Sequence, residues 1–159
     1  MPESSKAPKP PQGLSRFMWQ MPIYLYKAHL GWLLGERFLL LTHTGRISGE
    51  RRQAVLEIIR VDKTKQIYYV ASGFGEKSDW FCNLQNNPKA TIQVGRQLMH
   101  VQARLLNPEE AEEEFLDYAR RHPTAIKNLA GMLGYQLDGS ETSLRALAKA
   151  MPVVAFQPR

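Results

Sequence analysis

The stretch FLLLTHTGRISGERRQAVL, residues Phe38–Leu56, decides the fold, because two apolar runs flank a short polar segment rich in glycine and arginine. Apolar runs bounded by turn residues are typical of buried strands. Gly45 and Gly49 lack a Cβ, so the backbone there can adopt positive φ and bring its amides close to a ligand. Five further residues with strong hydrogen-bond donors surround these glycines: Thr44, Arg46, Ser48, Arg51 and Arg52. Guanidinium groups suit phosphate oxygens, so the stretch predicts an anion-binding loop between two strands; an ordinary polar hairpin turn is the alternative.

The composition is that of a soluble, single-domain protein with a surplus of positive charge. The 159 residues are 43% hydrophobic and 23% charged, with a formal net charge of +6. This charge favours anionic partners, a class that includes nucleotide-like cofactors, nucleic acid and acidic lipid surfaces. The single Cys82 excludes an internal disulfide, and the four histidines lack metal-ligand spacing, so we expect a reducing, cytoplasmic location and no metal site.

The N-terminal part of the chain differs in composition from the rest. Prolines within residues 1–13 predict a disordered tail, and residues 14–159 are expected to form one domain. The segment Phe17–Leu34 is rich in aromatic residues and leucines, and Pro22 should interrupt any helix there. One interpretation is a helix that lies across the sheet as a lid or core flap. The other is an interfacial helix that makes a peripheral membrane contact, which would leave the protein partly membrane-associated.

Periodicity and turn residues predict six strands and four helices after this segment. The strands are expected at 37–43, 53–61, 66–72, 89–94, 99–105 and 153–156, and the helices at 79–86, 108–122, 124–133 and 140–151. Asn107, Pro108 and Glu110 are typical of a helix start. Strands do not alternate regularly with helices, so a doubly wound parallel sheet is disfavoured. The predicted class is α+β, mainly β, with a small, partly open antiparallel barrel and helices packed on its outside.

Four motifs in order resemble the deazaflavin-dependent nitroreductase family. They are the loop 44–49 with Arg52, the strand end 69–73, the segment 79–84 followed by 87–90, and the ending 151–154. The resemblance spans about Phe17 to Pro158. It implies a split β-barrel like that of FMN-binding flavin reductases. It also implies an oxidoreductase that transfers a hydride from reduced coenzyme F420 to a quinone, nitroaromatic or enone.

The resemblance also implies which residues form the site. It assigns the coenzyme to Thr44, Gly45, Arg46, Ser48, Gly49, Arg51, Arg52, Ser72, Gly73, Trp80 and Asn83. Arg46 and Arg52 would hold the phosphate, and Arg51 would compensate for Ile47, which stands where some members carry Lys. Ser72 would hydrogen-bond a ring carbonyl or orient the acceptor, which makes it the candidate catalytic residue. The candidates for the acceptor side are Trp32, His122 and Tyr135.

Three other interpretations follow from the same residues. An FMN-dependent reductase of the same fold is the first, because the anion loop suits either coenzyme. A non-catalytic binding protein for a fatty acid, tetrapyrrole or other apolar ligand is the second. A nucleic-acid-binding barrel is the third, and it is disfavoured because the exposed face of the hairpin 89–105 lacks stacking aromatic residues. We therefore expect a small-molecule acceptor, no nucleic acid, and a monomer or homodimer.

Overall fold

The core of the fold is a closed barrel of six antiparallel strands. A computed structural model describes residues 37–72 and 78–159. Its elements are β1 Phe38–Thr44, β2 Arg51–Asp62, β3 Ile67–Ala71, α1 Asp79–Asn86, β4 Lys89–Val94, β5 Gln97–Leu105, α2 Pro108–Arg121, α3 Pro123–Leu133, α4 Glu141–Lys149 and β6 Val153–Pro158. Around the barrel the order is β1-β2-β3-β6-β5-β4. The predicted α+β class and the six antiparallel strands are confirmed.

Several expectations fall outside the described residues. They are the tail 1–13, the helix expected within 17–34, the acceptor-side Trp32 and the coenzyme-side Gly73. In the described part of the chain, none of the helices has the length and hydropathy that crossing a bilayer would need.

The barrel differs from the expected one in two respects. It is closed rather than partly open, because β1 pairs with β4 at Leu40–Thr42 and β3 pairs with β6 along the opposite side. Strand β2 also begins two residues earlier than predicted, so that Arg51 pairs with Thr44 and Arg52 with His43. These two arginines therefore belong to a strand, in which successive side chains point to opposite faces, and not to a flexible loop.

Apolar side chains pack on both faces of the barrel wall. Leu39, Leu41 and Phe156 are fully buried in the cluster that fills the interior. On the outside, α2, α3 and α4 cover Tyr69 and Ala155 with a second cluster. Burial on both faces explains why β1 and β6 are continuous apolar runs.

The helix start predicted at residue 108 is confirmed. The Asn107 side chain accepts a hydrogen bond from the Glu110 amide at 2.9 Å and donates to the Glu110 carboxylate at 2.9 Å, and Pro108 is the first helical residue. These reciprocal bonds satisfy the backbone amide of Glu110 and the side-chain amide of Asn107 at the start of α2. Helix α4 is shorter than predicted, at Glu141–Lys149, and its N-cap Ser140 accepts from the Ser143 amide at 3.1 Å.

Candidate active site

The loop between β1 and β2, residues 45–50, is held by its own hydrogen bonds. The Gly45 amide donates to the Glu50 carbonyl at 2.8 Å, and the Gly49 amide donates to the Gly45 carbonyl at 2.9 Å. The Glu50 amide donates to the Ser48 hydroxyl oxygen at 3.1 Å. Gly49 has φ +73°, and a Cβ on Gly45 would lie 2.8 Å from the Ser48 hydroxyl oxygen. Gly49 is thus required by the turn itself, Gly45 packs closely against Ser48, and these three amides are already bonded within the protein.

Asn83, on α1, connects this loop to the barrel. Its side-chain oxygen accepts hydrogen bonds from the Arg46 amide at 3.0 Å and from the Arg46 Nη1 at 2.8 Å. Its side-chain nitrogen lies 3.0 Å from the His43 Nδ1. Asn83 is 3% exposed and His43 is 4% exposed. Asn83 therefore fixes the backbone and the guanidinium of Arg46, rather than presenting its own amide at the surface.

The bonding fixes the orientation of the Asn83 amide and the tautomer of His43. Arg46 can only donate, so the oxygen of Asn83 must face it, and the nitrogen of Asn83 must face His43. The His43 Nδ1 is then the acceptor, which places the ring proton on Nε2. Burial lowers the pKa of His43 to about 4; Arg52 contributes in the same direction, and Asp79 opposes it. His43 is consequently neutral at pH 7.

Two arginines present their guanidinium groups at this end of the barrel. The Arg46 side chain is 37% exposed, with its Nη2 3.6 Å from an Asp79 oxygen. The Arg52 side chain is 57% exposed, with its Nη2 3.7 Å from a Glu50 oxygen. Long, exposed ion pairs contribute little free energy and are easily exchanged. An incoming anion can therefore displace Asp79 and Glu50 from these guanidinium groups.

Arg51 lies apart from these two residues. It pairs with Thr44, whereas Arg52 pairs with His43, so Arg51 and Arg52 point to opposite faces of β2. Arg51 and Thr44 line a cavity on the outer wall of the barrel instead. Their assignment to the coenzyme stays a prediction.

Ser72 and Trp80 are buried next to the strand end at residue 71. Ser72 is fully buried; its hydroxyl lies 2.9 Å from the Ser78 hydroxyl, and its amide donates to the Pro152 carbonyl at 2.8 Å. Trp80 is 9% exposed and meets Phe81 edge to face, with ring centroids 6.0 Å apart, in the interior cluster. The contacts of Trp80 are those of a core residue. The roles of Ser72 and Trp80 toward the coenzyme stay predictions.

The structure does not bring His122 and Tyr135 to the loop 45–50. The His122 ring lies 4.8 Å from that of Tyr118, whose hydroxyl donates to Glu57 at 2.6 Å. Glu57 pairs with Phe38, at the end of β1 opposite to the loop. Tyr135 is buried in the helical cluster on the outside of the barrel, and burial raises the pKa of its hydroxyl. Their assignment to the acceptor stays a prediction.

His43 is the site residue that the sequence patterns did not single out. It follows Leu39 and Leu41 at a spacing of two, and those leucines point into the barrel. A polar residue in an inward-facing row was the available signal, because a buried polar side chain requires a hydrogen-bond partner.

Comparisons with known proteins agree with this fold. The sequence model of the family described as F420H(2)-dependent quinone reductase matches residues 26–138. The structure is similar to that of an F420-H2 dependent reductase, FDR-A, with a TM-score of 0.53, 20% identity, and coverage of 77% of this chain and 96% of that one. It also resembles the conserved hypothetical protein Rv2991 from Mycobacterium tuberculosis, with a TM-score of 0.55, 14% identity, and coverage of 80% and 76%. A third similar structure, described as a domain-swapped dimer, has a TM-score of 0.53, 18% identity, and coverage of 86% and 99%. These matches confirm the predicted split barrel.

Proposed function

Because the chain belongs to the F420H2-dependent quinone reductase family, we propose that it reduces a quinone with a hydride taken from the reduced coenzyme. Membership makes the chain an F420-dependent reductase, and the resemblance found from the sequence is confirmed at that level. When bound, the deazaflavin supplies a hydride, so the protein must bind the coenzyme, orient the acceptor and exclude water. Nitroaromatics and enones are the other acceptors of the same electron-poor character.

The observation that carries the proposal is the arrangement of Arg46 and Arg52 around a rigid loop. Asn83 holds the Arg46 backbone and guanidinium through bonds of 3.0 and 2.8 Å, so the position of this arginine is fixed before a ligand arrives. A preorganised guanidinium loses less side-chain entropy on binding than a mobile one. Two exposed guanidinium groups on a chain of net charge +6 fit a phosphate-bearing coenzyme.

We assign the coenzyme phosphate to Arg46 and Arg52, with the Ser48 hydroxyl as a further donor. Ser48 accepts from the Glu50 amide, and its own proton can still be donated. Ser72 is the candidate for orienting the reacting groups, since it directly follows β3 and its hydroxyl lies 2.9 Å from that of Ser78. Hydride transfer from the coenzyme needs no nucleophilic side chain, so none of these residues is assigned that role.

We further propose a homodimer whose contact with membranes is at most peripheral. One similar structure is described as a domain-swapped dimer. Light scattering measures the mass of the full chain in solution, and sedimentation with anionic vesicles measures membrane contact. A monomer, or more than half of the chain pelleting with vesicles at physiological salt, would contradict this proposal.

Arg46→Gln and Arg52→Gln test the coenzyme site. Each variant should weaken the binding of F420 by about 1–3 kcal/mol, or about 5- to 150-fold, because each removes a charge-assisted contact. Arg104→Gln is the matched control, since Arg104 lies on β5 and makes an exposed ion pair of similar length, 3.5 Å, with Glu110 on α2. Binding is followed by fluorescence titration with F420 and, in parallel, FMN. Equal F420 affinity in all variants, or binding of FMN alone, would contradict the assignment.

The acceptor is tested by stopped-flow oxidation of the reduced coenzyme. A naphthoquinone, a nitrobenzene and a cyclohexenone are compared at equal concentration, and the quinone is expected to react fastest. Ser72→Ala should lower the rate of hydride transfer more than it lowers coenzyme affinity. A nitrobenzene rate above the quinone rate would contradict the acceptor class.

A further inference from the structure

The outer wall of the barrel carries a polar cavity that the proposed reaction does not use. It has a volume of about 200 Å³ and lies where β1, β2 and β4 meet. Six of its lining residues are cations or threonines: Thr42, Thr44, Arg51, Lys89, Thr91 and Arg159. Because water occupies about 30 Å³ per molecule in the liquid, the space can hold a group of several heavy atoms.

The strand register explains why the threonines share one face. Thr44 pairs with Arg51, and Thr42 pairs with Thr91 across the β1–β4 ladder. Directly paired residues point to the same face, and the intervening His43 is buried on the other face. The cavity therefore opens on the face of the sheet opposite to the Arg52 side chain, and His43, which is bonded to Asn83, also contributes to its lining.

The charged side chains that line the cavity are all cationic. The Arg159 guanidinium is anchored by bonds from its Nε to the Val101 carbonyl at 2.8 Å and from its Nη2 to the Ala90 carbonyl at 3.3 Å. Among residues 37–72 and 78–159, neither Arg51 nor Lys89 lies within 4.0 Å of a carboxylate. Among these described residues, none of those that line the cavity is acidic. Such a group of cationic side chains attracts an anion.

We propose that this cavity is a second anion site, which binds a phosphate or carboxylate group independently of the coenzyme phosphate. Arg51 supplies a planar pair of donors, Lys89 a compact positive charge, and the threonine hydroxyls neutral donors to the remaining oxygens. The Arg159 guanidinium is already bonded to two carbonyls, so it lines the cavity as a fixed positive charge. Phosphate and carboxylate groups are both oxyanions that these donors could bind. Inorganic phosphate therefore serves as the probe for a phosphate group, and citrate as the probe for carboxylates.

The test titrates inorganic phosphate and citrate into the full chain, followed by calorimetry at constant ionic strength. We expect Arg51→Gln and Lys89→Gln each to weaken binding of the preferred probe at least tenfold. Lys127→Gln, exposed on α3, should leave its affinity unchanged, and Arg46→Gln should weaken only a separate binding event at the coenzyme phosphate site in the loop 45–50. All four side chains are exposed, and the melting temperature checks that each variant is folded.

The probes identify the source of the anion. Tighter binding of phosphate assigns the site to a phosphate group, and tighter binding of citrate assigns it to carboxylates. Failure of both probes to bind the wild-type chain would overturn the proposal. A loss in Arg46→Gln as large as that in Arg51→Gln would also overturn it, because the anion would then occupy the loop 45–50.

Discussion

Acidification should destabilise the protein through His43, and the size of the effect follows from its burial. The pKa of His43 is lowered from its ordinary 6.5 to about 4 in the folded chain, mainly by desolvation. Between these values the unfolded chain binds more protons, so the free energy of unfolding falls as the pH falls. The contribution is fully present above pH 6.5 and is lost toward pH 4, and the difference in pKa corresponds to about 3 kcal/mol.

The geometry around His43 explains why protonation cannot be accommodated. A proton on Nδ1 would face the Asn83 nitrogen, 3.0 Å away, which is also a donor. Turning the Asn83 amide would place donors against the two Arg46 groups that now donate to its oxygen. Asp79 favours the charged form and Arg52 opposes it, so these exposed charges only partly offset the desolvation. Acid should therefore release the loop 45–50 together with the histidine.

Urea unfolding between pH 7.5 and pH 4.5 measures this effect. The wild-type chain should lose about 2–3 kcal/mol more over this range than His43→Gln, which keeps a polar side chain but does not titrate. Carboxylates titrate in both chains, so the difference between them isolates the histidine. His100→Gln is the control, because His100 is exposed on β5. Parallel stability curves for the wild-type chain and His43→Gln would refute the reasoning.

Three further substitutions test individual contacts, each by urea unfolding at pH 7.5. Gly49→Ala should cost about 1–2 kcal/mol, because Gly49 has φ +73° and a Cβ is disfavoured there; no loss would show that the turn tolerates a Cβ. Tyr118→Phe should cost about 1 kcal/mol through loss of the 2.6 Å bond to Glu57, and an unchanged stability would mean that solvent replaces this bond. Phe156→Ala should cost about 3–5 kcal/mol, since Phe156 is fully buried inside the barrel, and a loss below 1 kcal/mol would contradict its place there.

The strands and their faces could be predicted from the sequence because their signals are local. The alternation around Val101 and the apolar run at Leu39–Leu41 each specify an element without reference to distant residues. The start of β2 was missed because Arg51 and Arg52 resemble loop residues in composition. They enter the ladder because Thr44 and His43 extend β1 opposite to them. Pairing with a partner strand thus outweighs the local preference of a charged pair.

The role of Asn83 could not be predicted, because its bonds join residues that are distant in the sequence. Asn83 is separated by 37 positions from Arg46 and by 40 from His43. The motif around Asn83 indicated a site residue. Only the packing of α1 against β1 shows that its side-chain amide is hydrogen-bonded within the protein. A buried amide bonded on both sides is costly to disturb, since an apolar substitution removes both the acceptor for Arg46 and the donor to His43. Coenzyme affinity and the stability of the folded chain therefore both depend on Asn83, so Asn83→Leu should reduce both. Arg52→Gln should reduce coenzyme affinity and, because it removes a charge that lowers the pKa of His43, lessen the loss of stability in acid.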